Sequence, residues 1–250
     1  MTLYSGKASP RQIQEFQEKV GSILWSTVIT RPDIAKSASE LLRFLVNPGP
    51  DYLAAANRVI QFLYGTRFYG IRYSKSGDPN AGEVFIMASN ATFGDHTDRK
   101  SSKDLVCLLY GGPVDWHAGK QKTVLTSTTE AELLAISKAG KNVFWWKHLF
   151  NVLQFNLQHK ISIKCDNRQT VRILQSEDSS LPIRLRHIDI HQYWFRQEVQ
   201  NGQIAVEWVA TANMPADGLT KILPIQKYRN FMKMLNLHEF IDKEDPYTSA

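Results

Sequence analysis

The stretch LTSTTEAELLAIS, residues 125–137, contains a strong signal for the start of a helix. Ser127 and Glu130 have the spacing of a capping box, in which the hydroxyl accepts a backbone N–H and the glutamate reaches back to the cap residue. Thr129 and Glu132 have the same spacing, so the start is defined only to within two residues. If Ser127 is the cap, Glu132 lies in the first turn without a local partner. A carboxylate there ordinarily complements the helix dipole.

Apolar residues continue from this start at helical spacing and predict one long helix that ends near Leu153. They are Leu133, Ile136, Gly140, Val143 and Phe150.

The segments around this helix alternate between strand and helix patterns. Strands are predicted at 71–74, 84–88, 104–110, 114–117, 161–165 and 204–209, and further helical stretches at 169–175, 187–200, from 214 and at 225–235. Three successive strands followed by alternating helices and strands predict an α/β fold with a sheet of mixed direction. Residues 10–67 show only helical patterns, broken at Pro48-Gly49-Pro50, and predict a small helical unit.

The composition is that of a folded protein with an excess of positive charge. Of the 250 residues 43% are hydrophobic, and the formal net charge is +6, which suits a polyanionic partner without requiring one. Cys107 and Cys165 lie in apolar runs and are predicted to be buried thiols. Because no apolar stretch is long enough for a membrane span and the N-terminus lacks a signal-peptide core, we expect an intracellular protein.

Three acidic residues fall at the ends of predicted elements. Asp166 follows the strand at 161–165, where ligands gather in open α/β sheets, although an aspartate there also caps a following helix. Asp217 lies in the first turn of a late helix, where it also complements the dipole. Together with Glu132 these acids would repel one another unless a divalent cation joined them. Ligation by oxygen alone favours Mg²⁺ or Mn²⁺ over zinc.

The order of motifs along nearly the whole chain resembles the ribonuclease H domain of Copia-type LTR retrotransposon Pol polyproteins. The motifs are TRPDIA (30–35), DRKSS (98–102), KQKTVLTSTTEAEL (120–133), CDN (165–167), RHIDIHQYWFRQEV (186–199), VEWV (206–209) and MPADGLTK (214–221). The forms of STTEAEL and MPADGLTK point to a fungal member.

The resemblance implies a ribonuclease H-like mixed β-sheet flanked by helices, with a small N-terminal helical segment. Residues 1–68 would form a helical connection, or thumb-like segment, to a reverse transcriptase. Residues 69–223 would form the ribonuclease H-like domain, and 224–250 a C-terminal helix and tail.

The resemblance also implies a catalytic site of four carboxylates holding two Mg²⁺ ions. Glu132, Asp166 and Asp217 match the second, third and fourth positions. Asn90, in the run ASNATFG at 88–94, stands where the first aspartate is expected. An amide is neutral and its NH₂ only donates, so it bridges two cations poorly. We therefore expect impaired hydrolysis of RNA in RNA/DNA hybrids, with hybrid binding retained.

The resemblance implies an RNA/DNA hybrid or another nucleic acid as a partner, together with the reverse transcriptase portion of the same polyprotein, and it implies no membrane partner. Arg99, Lys100, Lys120 and Lys122 are candidate contacts with the phosphates of the hybrid. They also fit an ordinary charged edge that protects strands from aggregation. The expected location is the cytoplasm, a virus-like particle or the nucleus. The alternative function is a catalytically dead, domesticated module that binds nucleic acid or protein.

Overall fold

The computed structural model describes residues 4–74, 84–92, 101–121, 127–157, 160–176 and 190–240, with the backbone alone for 190–193. Its helices and strands, in chain order, are α1 (Pro10–Ile29), α2 (Ala35–Leu41), α3 (Pro50–Gly65), β1 (Tyr69–Ile71), β2 (Phe85–Thr92), β3 (Ser102–Leu109), β4 (Gly112–Lys120), α4 (Thr128–Val152), β5 (Ser162–Cys165), α5 (Arg168–Gln175), α6 (Ile190–Gln200), β6 (Ala205–Trp208), α7 (Asp217–Thr220), α8 (Ile225–Met234) and β7 (Leu237–Glu239). Within these ranges no helix combines the length and apolar character needed to cross a membrane.

Five strands form the central sheet in the order β4-β3-β2-β5-β6. Strand β3 runs antiparallel to both β2 and β4. Strand β5 runs parallel to both β2 and β6. The predicted α/β fold with a mixed sheet is therefore confirmed. The central position of β2 explains why its residues from Phe85 to Asn90 are all buried.

The long helix α4 covers one face of the sheet. Leu133, Ile136, Gly140, Val143 and Phe150 are all buried, as their spacing predicted. A Cβ atom at Gly140 would lie 2.3 Å from the Phe195 ring, so the glycine allows α6 to approach α4 closely. Both cysteines are buried and free, as expected.

The opposite face of the sheet is covered by the segment that carries α7 and α8. Met214, Leu219 and Phe231 are buried there against Ala88 and Val106 of the two central strands. This layer places the start of α7 close to the end of β2.

The N-terminal helices form their own core, built from Phe16, Val20, Ile23, Leu41 and Tyr52 among others. Helix α1 begins with a capping box in which the Ser9 side chain accepts the Gln12 N–H and the Gln12 side chain accepts the Ser9 N–H. The predicted helical unit is therefore present.

A buried ion pair attaches this helical unit to the rest of the molecule. Arg31 donates to both carboxylate oxygens of Asp33 at 2.9 and 2.8 Å, and its guanidinium also bonds to Thr66. The hydroxyl of Tyr228 in α8 donates to the same carboxylate at 3.0 Å. Burial raises the pKa of Tyr228, which keeps this hydroxyl a neutral donor. Contacts across 195 positions of sequence thus join the helical unit to α8.

Several details differ from the sequence-based expectation. The strand predicted at 71–74 overlaps β1 only at Ile71, since β1 lies at Tyr69–Ile71, and it pairs with β7 in a separate two-stranded sheet that was not predicted. Three-residue strands are too short to show a period, which explains the omission. Strand β4 also begins earlier than the predicted 114–117, since it includes Gly112 and Pro113. The position of β4 at the sheet edge explains why a proline is tolerated.

We expect Arg31→Ala to destabilise the protein by about 3–5 kcal/mol, because it leaves the Asp33 carboxylate buried without its ion pair. Chemical denaturation measures this change. As a control, Lys19→Ala breaks the surface pair with Glu15 and should change the free energy of unfolding far less. Equal effects of the two substitutions would contradict a structural role for the buried pair.

Candidate functional site

Strand β2 presents Asn90 at the centre of the site, almost fully buried at 4% exposure. Its Nδ2 donates to Asp217 Oδ1 at 3.1 Å. Its Oδ1 accepts the N–H of Ala91 at 2.8 Å. The amide group is therefore held by hydrogen bonds at both ends.

Helix α4 brings Glu132 to the same strand end. Ser127 caps the helix, since its hydroxyl accepts the Glu130 N–H at 3.1 Å. The acid in the first turn is Glu130, so the expectation that Glu132 lies there is wrong. Glu132 follows two residues later, where it is buried and accepts the Ala91 N–H through Oε1 at 3.3 Å. The carboxylate thus contacts the neighbouring strand instead of serving only its own helix.

Asp166 lies where β5 ends and α5 begins. The alternative that it caps α5 is wrong, because the side chain of Asn167 is the cap and accepts the Thr170 N–H at 3.1 Å. Because Asn167 caps the helix, the half-buried Asp166 carboxyl is available to interact with the other acids.

Asp217 is the first residue of α7 and is 8% exposed. Its Oδ1 accepts from Asn90 and also pairs with the ammonium group of Lys221, one helical turn further on. Helix α7 has only four residues, so complementing a helix dipole explains little of this placement.

The acids influence one another electrostatically. Burial, followed by the Asp166 charge, raises the pKa of Glu132 to about 8, although the Ala91 N–H acts in the opposite direction. Burial also raises the pKa of Asp166, and a hydrogen bond with the Thr211 side chain opposes that rise. Asp217 raises the pKa of Asp166 further, while Lys221 lowers it. The structure therefore brings Asn90 and the three predicted acids into one site.

The side chains as placed do not fit a centre for two cations. Within the described part of the chain, no group of three or more His, Cys, Asp or Glu side chains is arranged to hold a metal ion. Asp217 Oδ1 already accepts from an amide and an ammonium, and the side-chain oxygen of Asn90 takes the Ala91 N–H. The predicted acids therefore lie in one site without being arranged as metal ligands, and Asp217 is paired instead with the Asn90 amide and the Lys221 ammonium.

The predicted nucleic-acid contacts are only partly described. Arg99, Lys100 and Lys122 lie outside the described residues. Lys120 is half-buried at the end of the edge strand β4, where it pairs in register with Ser102. A role in binding phosphates stays a prediction for all four residues.

Comparison with known proteins shows relatives over nearly the whole chain. The retrovirus-related Pol polyprotein from transposon TNT 1-94 of Nicotiana tabacum is 31% identical over 94% of this chain and 18% of its own length. The Pol polyprotein from transposon RE2 of Arabidopsis thaliana is 30% identical over 95% of this chain and 16% of its length. The secreted RxLR effector protein 161 of Plasmopara viticola is 35% identical over 50% of this chain and 87% of that protein. No protein-family model matches.

Several solved structures are similar at low identity, and two of them follow. LC11-RNase H1, isolated from compost, is 11% identical with a TM-score of 0.42, over 55% of this chain and 92% of its own. The foamy viral protease-reverse transcriptase in complex with an RNA/DNA hybrid is 13% identical with a TM-score of 0.45, over 96% of this chain and 28% of its own.

The five-stranded mixed sheet and its flanking helices define an α/β fold. Over nearly its whole length the chain is similar to retrovirus-related Pol polyproteins of transposons, of which it spans 16–18% in the two plant relatives. The expected fungal origin is not supported, because the Pol relatives at 30% identity or more come from plants and a yeast Ty1 Gag-Pol polyprotein reaches 26%.

Sequence reasoning missed the counter-charge of the site. Lys221 lies four residues after Asp217, a spacing at which oppositely charged side chains meet on a helix, so the pair was visible in the motif MPADGLTK. The contribution of the Ala91 backbone N–H was not visible, since it depends on where α4 meets β2.

We expect Glu132→Gln to stabilise the protein in the absence of divalent cations, increasingly as the pH rises from about 4.5 to about 8. In this range the native state holds the Glu132 proton while the unfolded chain releases it, so native stability falls as the pH rises. Glutamine removes that loss. Melting temperatures measured from pH 4 to 9 test this, with exposed Glu18→Gln as the control. A constant difference between variant and wild type across this range would contradict the raised pKa.

Proposed function

We propose that this chain is a ribonuclease H-like Pol segment that binds RNA/DNA hybrids and whose hydrolysis of the RNA strand is weak or absent. The observation that carries this proposal is the hydrogen bond from Asn90 Nδ2 to Asp217 Oδ1 at 3.1 Å. At the position of Asn90 the family resemblance implies a fourth acid, but the side chain there is an amide that donates to Asp217.

The charge balance of the site supports weak hydrolysis. Asn90 supplies no negative charge, and its donor group points at the oxygen of Asp217 that also pairs with Lys221. Two cations bound close together need bridging anionic oxygens, and an amide lacks them. Glu132, Asp166 and Asp217 are the residues that would hold Mg²⁺ or Mn²⁺ if the missing carboxylate were restored.

We expect hybrid binding to be retained because Asn90 leaves the surrounding sheet intact. Asn90 is buried within an intact strand pair, so the substitution does not disturb the surrounding sheet. The net charge of +6 favours a polyanion, and we assign the phosphate contacts to Arg99, Lys100, Lys120 and Lys122.

We further propose that residues 1–68 connect to a reverse transcriptase portion, that 69–223 form the hybrid-binding domain and that 224–250 form a C-terminal helix and tail. The contact of Tyr228 with Asp33 ties the first part to the third. This arrangement favours one rigid attachment over a flexible linker.

A second candidate is a protein-interaction module without nucleic-acid binding. The effector of Plasmopara viticola supports it, since half of this chain corresponds to 87% of that protein. A segment of this kind therefore also occurs outside a long polyprotein.

We expect Asn90→Asp to give Mg²⁺-dependent cleavage of an RNA/DNA hybrid at least about a hundredfold faster than wild type, which corresponds to about 2.7 kcal/mol. The new carboxylate would also repel Asp217, so the variant should melt lower than wild type without Mg²⁺ and recover when Mg²⁺ is added. Gel-based cleavage assays and thermal melts measure the two effects.

Two control variants sharpen this test. Asn90→Ala removes the amide without adding a carboxylate and should not gain activity. Asn90→Asp combined with Glu132→Gln should lose the gain, since both acids serve one site. Full Mg²⁺-dependent cleavage by the wild type would refute the proposed impairment.

Fluorescence anisotropy should show tighter binding of wild type to an RNA/DNA hybrid than to a DNA duplex of the same sequence. The affinity should fall steadily with salt because phosphate contacts release counterions. A matched 2′-deoxy strand is the control, since the 2′-hydroxyl distinguishes the two duplexes. Binding to neither duplex would favour the protein-interaction module.

A further inference from the structure

Arg168 and Trp208 form a cation–π pair beside the acidic site. The guanidinium carbon of Arg168 lies 4.0 Å from the centroid of the Trp208 ring. Both residues reach solvent, and Trp208 is 42% exposed.

The indole ring is fixed relative to Asp166. Trp208 ends the edge strand β6 and pairs in register with Cys165, the residue before Asp166. Its Nε1 donates to the backbone oxygen of Asp166 at 3.1 Å. The ring therefore lies at the rim of the site, at a defined place beside its third acid.

The charge of Arg168 is not used by the acids. The charges that shift the pKa of Asp166 are those of Asp217 and Lys221. Elsewhere on the same two strands, Lys164 pairs with Glu207 at 2.7 Å. For the Arg168 guanidinium, the ring contact is the one interaction recorded with the described residues.

We propose that Arg168, positioned by its cation–π contact with Trp208, binds a backbone phosphate of the nucleic acid beside the acidic site. This inference rests on the proposed hybrid binding and adds a contact on the β5–β6 side of the sheet. A cation–π contact uses the charge of the guanidinium without taking a hydrogen bond from any of its N–H groups. A planar fork of donors matches two phosphate oxygens, which a lysine ammonium does not.

The test compares Arg168→Ala with Arg172→Ala, which removes the same charge from an exposed position one turn along α5. Anisotropy titrations with a hybrid at several salt concentrations give the affinity and its salt slope. Arg168→Ala should weaken binding about tenfold at low salt and reduce the slope by about one, the value for one lost phosphate contact. Arg172→Ala should change both quantities much less.

Three further variants distinguish the contributions of the Arg168 charge, the planar shape of its guanidinium and the Trp208 ring. Arg168→Lys should keep the salt slope but recover only part of the affinity, because the fork is lost. Trp208→Phe keeps a ring for the cation–π contact and should bind better than Trp208→Ala. Thermal melts of all variants show whether each is folded at the titration temperature.

The outcomes distinguish this inference from the proposed function. Equal losses for Arg168→Ala and Arg172→Ala, with wild type binding the hybrid, would overturn the Arg168 contact and leave hybrid binding intact. Full affinity in Arg168→Lys would overturn the role of the fork. Absence of wild-type binding to a hybrid would overturn both proposals.

Discussion

Several acidic side chains share one largely buried site, and their mutual repulsion is the constraint around which the site is built. Glu132, Asp166 and Asp217 come from the starts or ends of three elements on both faces of the sheet. In this chain the repulsion is reduced in three ways. Burial favours the protonated form of Glu132, Lys221 pairs with Asp217, and Asn90 donates to Asp217 where an acid would add further charge.

Each acid is available because a neighbouring residue takes over its local role. Ser127 caps α4 and Asn167 caps α5, so neither Glu132 nor Asp166 is needed to satisfy its own helix end. The sequence does not decide which of two adjacent residues caps a helix when both are good caps, as Asp166 and Asn167 are. The spacing of Ser127 and Glu130 was less ambiguous, and the start of α4 was predicted to within two residues.

Local patterns predicted the central elements well, whereas contacts between distant elements were beyond them. The apolar stripe of α4 and the order of strands and helices were sufficient for the α/β fold. Nothing in the sequence pairs β1 with β7, and nothing joins Tyr228 to Asp33. A buried carboxylate such as Asp33 must have partners, but sequence does not say from which element they come.

Asn90 shows how the chemistry of a site can change while its scaffold persists. A buried amide costs stability when its donor and acceptor lack partners. Here Asp217 accepts from the Asn90 NH₂ and the Ala91 N–H donates to its oxygen, so both groups are satisfied. The same two bonds that stabilise the amide point its donor into the site, toward the acid. The hydrogen bonds that satisfy the buried amide are therefore also the basis on which we propose weak binding of cations at this site.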